Sequence, residues 1–193
     1  MIAKCLLLAF ASPFVLSNSL PETYTIVNHP AVVQVRCADG LGTAFRVGEH
    51  GLVSVNHVTR MKGCTINGEP VRIRLADVAR DVSFGRIASN GPGLTVNCGG
   101  IKDGERLYAI GYARGRPVQR LVTVRGSDFA TKAMPWGSFS TVVGAEYFIP
   151  GMSGGPLLNT AGEAVGTVNG YHPLVGVSFA QSLSDTAICT GEL

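Results

Sequence analysis

The sequence predicts an all-β protein made of two packed antiparallel β-barrels, and three observations support this fold class. Hydrophobic residues make up 46% and charged residues 15% of the 193 residues, which is the composition of a packed globule. The 25 glycines, with frequent Val and Thr and no long helical periodicity, favour short strands joined by turns. The Gly- and Pro-containing stretch 89–93 divides the chain into halves of similar strand content. Two barrels fit better than one large sheet because closed barrels leave no exposed strand edges.

Short apolar or alternating runs, separated by Gly, Asn, Asp and Pro, define the individual strands. In the first half, we predict strands at 31–36, 42–47, 51–56, 70–75 and 82–87. In the second half, we predict strands at 106–111, 117–124, 142–148, 156–159, 163–169 and 174–180. A short helix is predicted at 181–188. The N-terminal barrel then spans residues 20–90 and the C-terminal barrel residues 91–193.

The first nineteen residues differ in character from the rest of the chain. Lys4 precedes an apolar run at 5–16, and the small polar residues 17–19 follow. The run is too short to span a bilayer and is typical of a secretory signal peptide. A buried N-terminal element or an uncleaved anchor is the alternative. We expect a secreted or periplasmic protein with no stable membrane association after signal removal.

Four cysteines remain once the predicted signal is set aside, and an even number in an exported protein indicates two disulfides. They are Cys37, Cys64, Cys98 and Cys189, which permit three pairings; division into halves favours joining the first two and the last two. Zinc binding is the alternative, but no Cys-x-x-Cys occurs and the histidines lack ligand spacing. We predict no metal and no cofactor. A net charge of +3 is too small to indicate a nucleic-acid partner.

Ser153 lies in a glycine-rich run, Gly-Met-Ser-Gly-Gly-Pro, at 151–156. A nucleophilic serine needs a tight turn that exposes its hydroxyl, and glycine tolerates the backbone angles of such a turn. The same turn can direct two backbone N–H groups at one point, where an oxyanion would develop. The alternative is a glycine-rich hairpin without a chemical role. We take Ser153 as the candidate nucleophile.

A serine is a weak nucleophile at neutral pH and needs a nearby base. Of the four histidines, His57 stands at the end of the apolar run 53–58, where a rigid element can hold a side chain in place. The others, His29, His50 and His172, lie in turn-rich surroundings. A satisfied structural histidine is the alternative for each of them. We take His57 as the candidate base.

The base needs a carboxylate that orients its ring and stabilises its charged form. Asp81 directly precedes the predicted strand 82–87, which would dock it in a cleft. Asp77, four residues earlier, competes for the role. We favour Asp81 and leave Asp77 open.

Three segments of this sequence resemble the motifs of one known family. The His57 region (42–45 with 53–58), the Asp81 region (81–84) and the Ser153 region (151–157) are similar to those of the chymotrypsin/trypsin-like serine proteases of the PA clan. Within this family, the motifs most resemble those of HtrA-like bacterial, phage or viral members, and we expect no PDZ domain here. The resemblance implies two six-stranded barrels with a His57–Asp81–Ser153 triad in the cleft between them. It also implies an oxyanion hole formed by the backbone N–H groups of Gly151 and Ser153.

The resemblance places the substrate pocket beside the segment before Ser153 and the strand after it. Its expected lining residues are Tyr147, Phe148, Val168 and Asn169. No acid stands at the bottom position, where Tyr147 falls, which disfavours cleavage after Lys or Arg. We expect a polypeptide substrate cut after a small or apolar residue.

The sequence therefore predicts a secreted serine endopeptidase that works through an acyl-enzyme. Two alternatives stay open. One is a protease-fold binding module that no longer cleaves, because fold alone does not secure function. The other is an esterase using the same triad: residues 151–155 fit its Gly-x-Ser-x-Gly pattern, although Pro156 and the β-rich context argue against the strand–helix elbow of that class.

Overall fold

The computed structural model describes residues 23–127, 141–143, 147–172 and 176–192. Two antiparallel sheets account for nearly all of its regular structure. The all-β fold class with two curled antiparallel barrels is confirmed. The predicted signal peptide at 1–19 lies outside the described residues. Among those residues, no helix has the length and apolar content needed to cross a bilayer.

The first sheet carries the histidine and aspartate of the predicted triad. Its strands are β2 (Val32–Cys37), β3 (Gly40–Val47), β4 (Gly51–Ser54), β5 (Thr65–Ile66), β6 (Glu69–Pro70), β7 (Arg72–Asp77) and β8 (Val82–Arg86), with the one-turn helix α1 (Asn56–Thr59) after β4. They are ordered β6-β5-β2-β3-β4-β8-β7. Side chains that alternate along the strands, among them Val35, Ala44 and Leu52, form one core cluster.

The second sheet carries Ser153 on the connection between two of its strands. It contains β1 (Thr25–Ile26), β9 (Arg106–Ala113), β10 (Arg116–Ser127), β11 (Thr141–Val143), β12 (Pro156–Leu158), β13 (Ala164–His172) and β14 (Val177–Ser182). Strand β9 pairs with both β10 and β12, so β9–β14 close into a ring of six strands. Strand β1 is a seventh member, added to the edge of β10 ahead of β11.

Counted over the described residues, each sheet has seven strands when the two-residue strands β1, β5 and β6 are included. Two details of the sequence-based prediction need correction. The strand predicted at 51–56 ends at Ser54, and the chain then turns into α1. The helix predicted at 181–188 is also wrong in its bounds: Gln181 and Ser182 still belong to β14, and the helix α2 is Ala187–Thr190. Gln181 pairs with Thr167 in the ladder, and that cross-strand pairing outweighs local preference.

The connection between the two sheets is hydrogen-bonded to both of them. Leu94 donates its N–H to the carbonyl of Arg46 in the first sheet (2.8 Å), and Ala164 of the second sheet donates to Thr95 (2.9 Å). The two disulfides, Cys37–Cys64 and Cys98–Cys189, follow the pairing favoured by division into halves. The second joins this connection to α2 at the C-terminal end. The boundary between residues 90 and 91 stays a prediction.

Candidate active site

Residues 150–155 form a compact turn, here called the nucleophile turn, which presents Ser153. Met152 donates its N–H to the carbonyl of Ile149 (3.1 Å), and Gly155 donates to Met152 (2.9 Å). Gly151 has φ +99° and Gly154 has φ +88°, a region that L side chains rarely adopt. A Cβ at Gly154 would also overlap the Thr43 carbonyl oxygen and the Ser54 hydroxyl. The glycines around the serine are therefore required by both backbone angle and space.

Thr43 of strand β3 binds the nucleophile turn to the first sheet. Its N–H donates to the Ser153 carbonyl (2.8 Å) and its hydroxyl donates to the Gly151 carbonyl (2.7 Å). The same hydroxyl accepts from the backbone N–H of Tyr112 (2.9 Å), and the Ser54 hydroxyl donates to the Thr43 carbonyl (2.7 Å). Thr43 is completely buried. Sequence reasoning treated it only as part of a strand, although a threonine on a buried strand face could have indicated a polar contact.

His57 lies in α1 and not at a strand end, because the chain turns at Val55 and closes one helical turn through Thr59. Asp81 holds this turn twice. Its Oδ1 accepts the backbone N–H of His57 (2.8 Å), and its Oδ2 lies 2.6 Å from the imidazole Nδ1. Asp81 has φ +53°, a conformation that Asp adopts more readily than most residues. The structure thus brings His57 and Asp81 together with the ring orientation fixed.

Asn169 of strand β13 completes the hydrogen bonding of Asp81 from the second sheet. Its amide Nδ2 donates to Asp81 Oδ2 (3.1 Å), and both side chains are buried. A buried carboxylate needs such donors, since desolvation otherwise makes its charge costly. The ladder between β13 and β14 shifts register between Val168 and Gly170, so Asn169 is the extra residue of a bulge. Bulges re-aim side chains in this way, and sequence reasoning assigned Asn169 only to the pocket.

Asp77, the competing carboxylate, is engaged elsewhere. Its Oδ2 lies 2.9 Å from Nη1 of Arg80, and its Oδ1 accepts the Arg80 backbone N–H (3.0 Å). The hydrogen bond to Asp77 is the main cause that raises the pKa of Arg80. The geometry therefore favours Asp81 as the partner of His57.

Ser153 Oγ donates to the backbone carbonyl of Asn169 (2.9 Å). Ser153 and His57 line the same cleft. Among the described residues, the backbone N–H groups of Gly151 and Ser153 donate to no protein acceptor. Two unpaired donors on one turn can bind a developing negative charge.

The cleft beside Ser153 has a volume of about 510 Å³. Its lining residues are His57, Arg60, Tyr147, Phe148, Ile149, Pro150, Ser153, Asn169, Gly170 and Tyr171. Tyr147 and Phe148 both line this cleft, and the rings of Tyr147 and Tyr171 meet edge to face with their centroids 4.5 Å apart. Val168 is instead completely buried in the core of the second sheet, because side chains alternate along a strand and its neighbour Asn169 faces the site.

Comparisons with known proteins give a consistent family and fold. A family model described as the trypsin-like peptidase domain matches residues 42–166, more than half of the chain. No curated protein matches the chain in sequence.

Several solved structures are similar at low identity. A protease from M. tuberculosis in its active form has a TM-score of 0.68 at 20% identity, covering 84% of this chain and 80% of that one. The MamO protease domain from Magnetospirillum magneticum in the apo form has a TM-score of 0.69 at 19% identity, covering 85% and 96%. The serine endoprotease from Yersinia pestis has a TM-score of 0.64 at 22% identity; this chain spans only 61% of its length. At such identities the likeness concerns the fold.

Asp81→Asn should lower the rate at which a fluorophosphonate probe labels Ser153 by about 10⁴, because an amide there stabilises the wrong imidazole tautomer. The matched change Asp77→Asn removes a carboxylate that pairs with Arg80 outside the cleft. It should alter the rate by less than about threefold. A larger loss from Asp77→Asn than from Asp81→Asn would transfer the orienting role to Asp77.

Thr43→Val should lower the free energy of unfolding by about 1–3 kcal/mol, since it leaves the Gly151 carbonyl and the Tyr112 N–H without their buried partner. Thr43→Ser keeps the hydroxyl and serves as the matched control, with a loss of about 1 kcal/mol for the missing methyl group. Urea unfolding followed by circular dichroism measures both. Equal stability of the Val variant and the wild type would show that this hydroxyl does not hold the turn.

Proposed function

The chain belongs to the trypsin-like peptidase family, and we propose that it cleaves peptide bonds with Ser153 as nucleophile, His57 as general base and Asp81 as orienting carboxylate. Family membership makes it a serine endopeptidase. The observation that carries the residue assignment is the double contact of Asp81 with His57, through the backbone N–H (2.8 Å) and through Nδ1 (2.6 Å). Because Asp81 engages Nδ1, we assign the role of general base to Nε2 of the same ring.

The reaction proceeds in two halves. In the first, the Ser153 hydroxyl gives its proton to His57 Nε2 while Oγ attacks the carbonyl carbon of the scissile peptide bond. The N–H groups of Gly151 and Ser153 bind the resulting oxyanion. The His57 proton then passes to the leaving amine, the C–N bond breaks and an acyl-enzyme remains. In the second half, water gives a proton to His57 and attacks the ester carbonyl; the bond to Ser153 Oγ then breaks, His57 returns the proton to Oγ, and the acid is released.

Ser153 needs a small rearrangement before it attacks. In the structure its hydroxyl proton is directed at the Asn169 carbonyl, which can only accept. The proton must turn towards His57 Nε2 for base catalysis. A substrate strand that pairs with the backbone at Asn169 would compete for this carbonyl and would favour that turn.

The pocket supports a preference for a small or apolar residue before the cut. Tyr147, Phe148 and Tyr171 contribute aromatic surface to the cleft. Among the lining residues described, the basic side chains are His57 and Arg60, and no carboxylate is present. A lysine or arginine side chain would therefore enter the pocket without a counter-charge, which disfavours it.

Two further assignments belong to this proposal. Residues 1–19 are a signal peptide that directs the chain to a secreted or periplasmic location, and the two disulfides are typical of such oxidising compartments. Residues 20–90 and 91–193 are the two barrel domains. Thr25 and Ile26 fall within the first of these domains but pair with strand β10 of the second sheet, so they join the two halves.

A fluorophosphonate probe should label the wild type and leave Ser153→Ala unlabelled, because only an activated serine reacts with it. An unfolded protein incubated with each form should be fragmented by the wild type alone. The matched control is Ser184→Ala, a described serine that does not line the cleft. If the folded wild-type protein neither reacts with the probe nor produces fragments, the chain is a protease-fold binding module that does not cleave. Labelling without fragments would favour an esterase.

Sequencing of the fragments should show cuts after small or apolar residues, with at least about tenfold preference over Lys and Arg. This follows from the missing carboxylate in the pocket. Mass spectrometry of the digest measures the preference directly. Cleavage concentrated after Lys or Arg would contradict the pocket assignment.

A further inference from the structure

The segment before the first sheet runs along the second barrel and begins next to residues 147–150, which line the substrate cleft. Thr25 and Ile26 pair with Gln119 and Val118 of β10, and the N–H of Val27 donates to the Pro117 carbonyl (3.2 Å). Residues 24–27 are here called the strap. Its attachment is short, since only two residues pair in the ladder.

Tyr24, at the beginning of the strap, is 8% exposed and packs in the same core cluster as Phe148, Ile149 and Met152. Its hydroxyl donates to the Tyr147 carbonyl (2.5 Å), and the backbone N–H of Ile149 faces the hydroxyl oxygen of Tyr24. Burial raises the pKa of the Tyr24 phenol. The group therefore stays protonated at neutral pH and keeps donating to the carbonyl.

Arg120 holds the ring of Tyr24 from the side of the barrel. Its guanidinium carbon lies 5.1 Å from the ring centroid, within the range of a cation–π contact. Arg120 is adjacent in β10 to Gln119, the ladder partner of Thr25. The ring and the strand are thus fixed to the same part of β10.

The contacted residues, 147–150, form one wall of the cleft and are here called the pocket wall. They belong to no strand, so no ladder fixes their backbone. Contacts from elsewhere do so instead: Tyr24 binds the Tyr147 carbonyl and the Ser178 hydroxyl accepts the Phe148 N–H (3.1 Å). At the far end of the wall, the backbone N–H of Arg114 donates to the Pro150 carbonyl (3.0 Å). The nucleophile turn starts from this wall, because the Ile149 carbonyl accepts the N–H of Met152 (3.1 Å).

We propose that Tyr24 is a positioning residue for substrate recognition, and that the strap holds the pocket wall in its substrate-binding form through the Tyr24 hydroxyl. This inference rests on the proposed function for its catalytic consequence. Loss of the hydroxyl frees the Tyr147 carbonyl and lets the wall shift. The affinity for substrates with a large side chain before the scissile bond therefore falls. His57 and Asp81 do not contact the strap, and Thr43 still holds the carbonyls of Gly151 and Ser153, so the rate of the chemical step is retained.

Tyr24→Phe tests the proposal, with Tyr108→Phe as the matched control. Tyr108 lies in the same barrel but packs against a different core cluster, which contains Phe84 and Leu158, and it does not line the cleft. For a peptide with a large apolar residue before the cut, Tyr24→Phe should raise KM by about tenfold, the effect of one lost hydrogen bond, with kcat changed by less than about threefold. A peptide with glycine at that position should change by less than about twofold, because it makes little contact with the wall. The control should behave as the wild type for both peptides.

Amide hydrogen exchange in the Ser153→Ala background measures the wall without any catalysis. Tyr24→Phe should speed exchange in the peptide covering 147–152 by about tenfold and leave the peptide covering α1 unchanged. Unchanged exchange at 147–152 would overturn the proposal. Faster exchange with unaltered KM for the large-residue peptide would also overturn it, since the contact would then be structural only. If Tyr24→Phe speeds exchange at 147–152 but the wild-type protein cleaves no peptide, the strap does hold the pocket wall and the endopeptidase assignment is wrong.

Discussion

The site depends on the close contact between Thr43 and the nucleophile turn. The Thr43 backbone and side chain bind the carbonyls of Ser153 and Gly151, and the Thr43 carbonyl lies where a Cβ of residue 154 would be. The serine belongs to one barrel and its base to the other, so their relative placement is only as accurate as this junction. A displacement of about 1 Å is enough to cost a large factor in rate. The buried hydrogen bonds of Thr43 make that displacement costly.

Asp81 adds a second link across the same junction. It receives two donors from His57 in its own sheet and one from Asn169 in the other. Because a buried carboxylate is stable only when its oxygens are hydrogen-bonded, the charge favours closure of the two barrels against each other. Asn169 also presents its backbone carbonyl to Ser153. One bulged residue therefore contacts both the carboxylate and the nucleophile.

The strap supports the substrate-binding part of the cleft, as Thr43 and Asp81 support the serine and the histidine. The pocket wall lies outside the ladders, and a loop of this kind takes its shape from whichever side chains reach it. Tyr24 reaches it from more than a hundred positions away in the chain, and Arg120 supports the ring. The proposed catalytic residues on rigid elements thus lie beside a proposed recognition surface that depends on distant contacts. Specificity can change in such a protein without any change at His57, Asp81 or Ser153.

Local patterns were sufficient for the strands with strong alternation and for the motifs around His57, Asp81 and Ser153. Patterns failed where the effect was not local. The one-turn helix at His57 forms because Asp81, 24 positions later, binds its backbone N–H. Val168 is buried because the register of β13 against β14 directs it inward. The short strands β1, β5 and β6 exist only because a partner strand is already in place.

The sequence by itself determined the all-β class, the family and the chemical types that stand at the three triad positions, because these depend on residue identity and near-neighbour spacing. Tertiary structure decided which carboxylate meets His57, which threonine anchors the turn and which tyrosine supports the pocket wall. Each of those contacts joins residues far apart in the chain. Their geometry follows from strand register and barrel packing, which no local pattern encodes. Ser153 was recognisable from its glycines, whereas its working environment came from the packing of the two barrels.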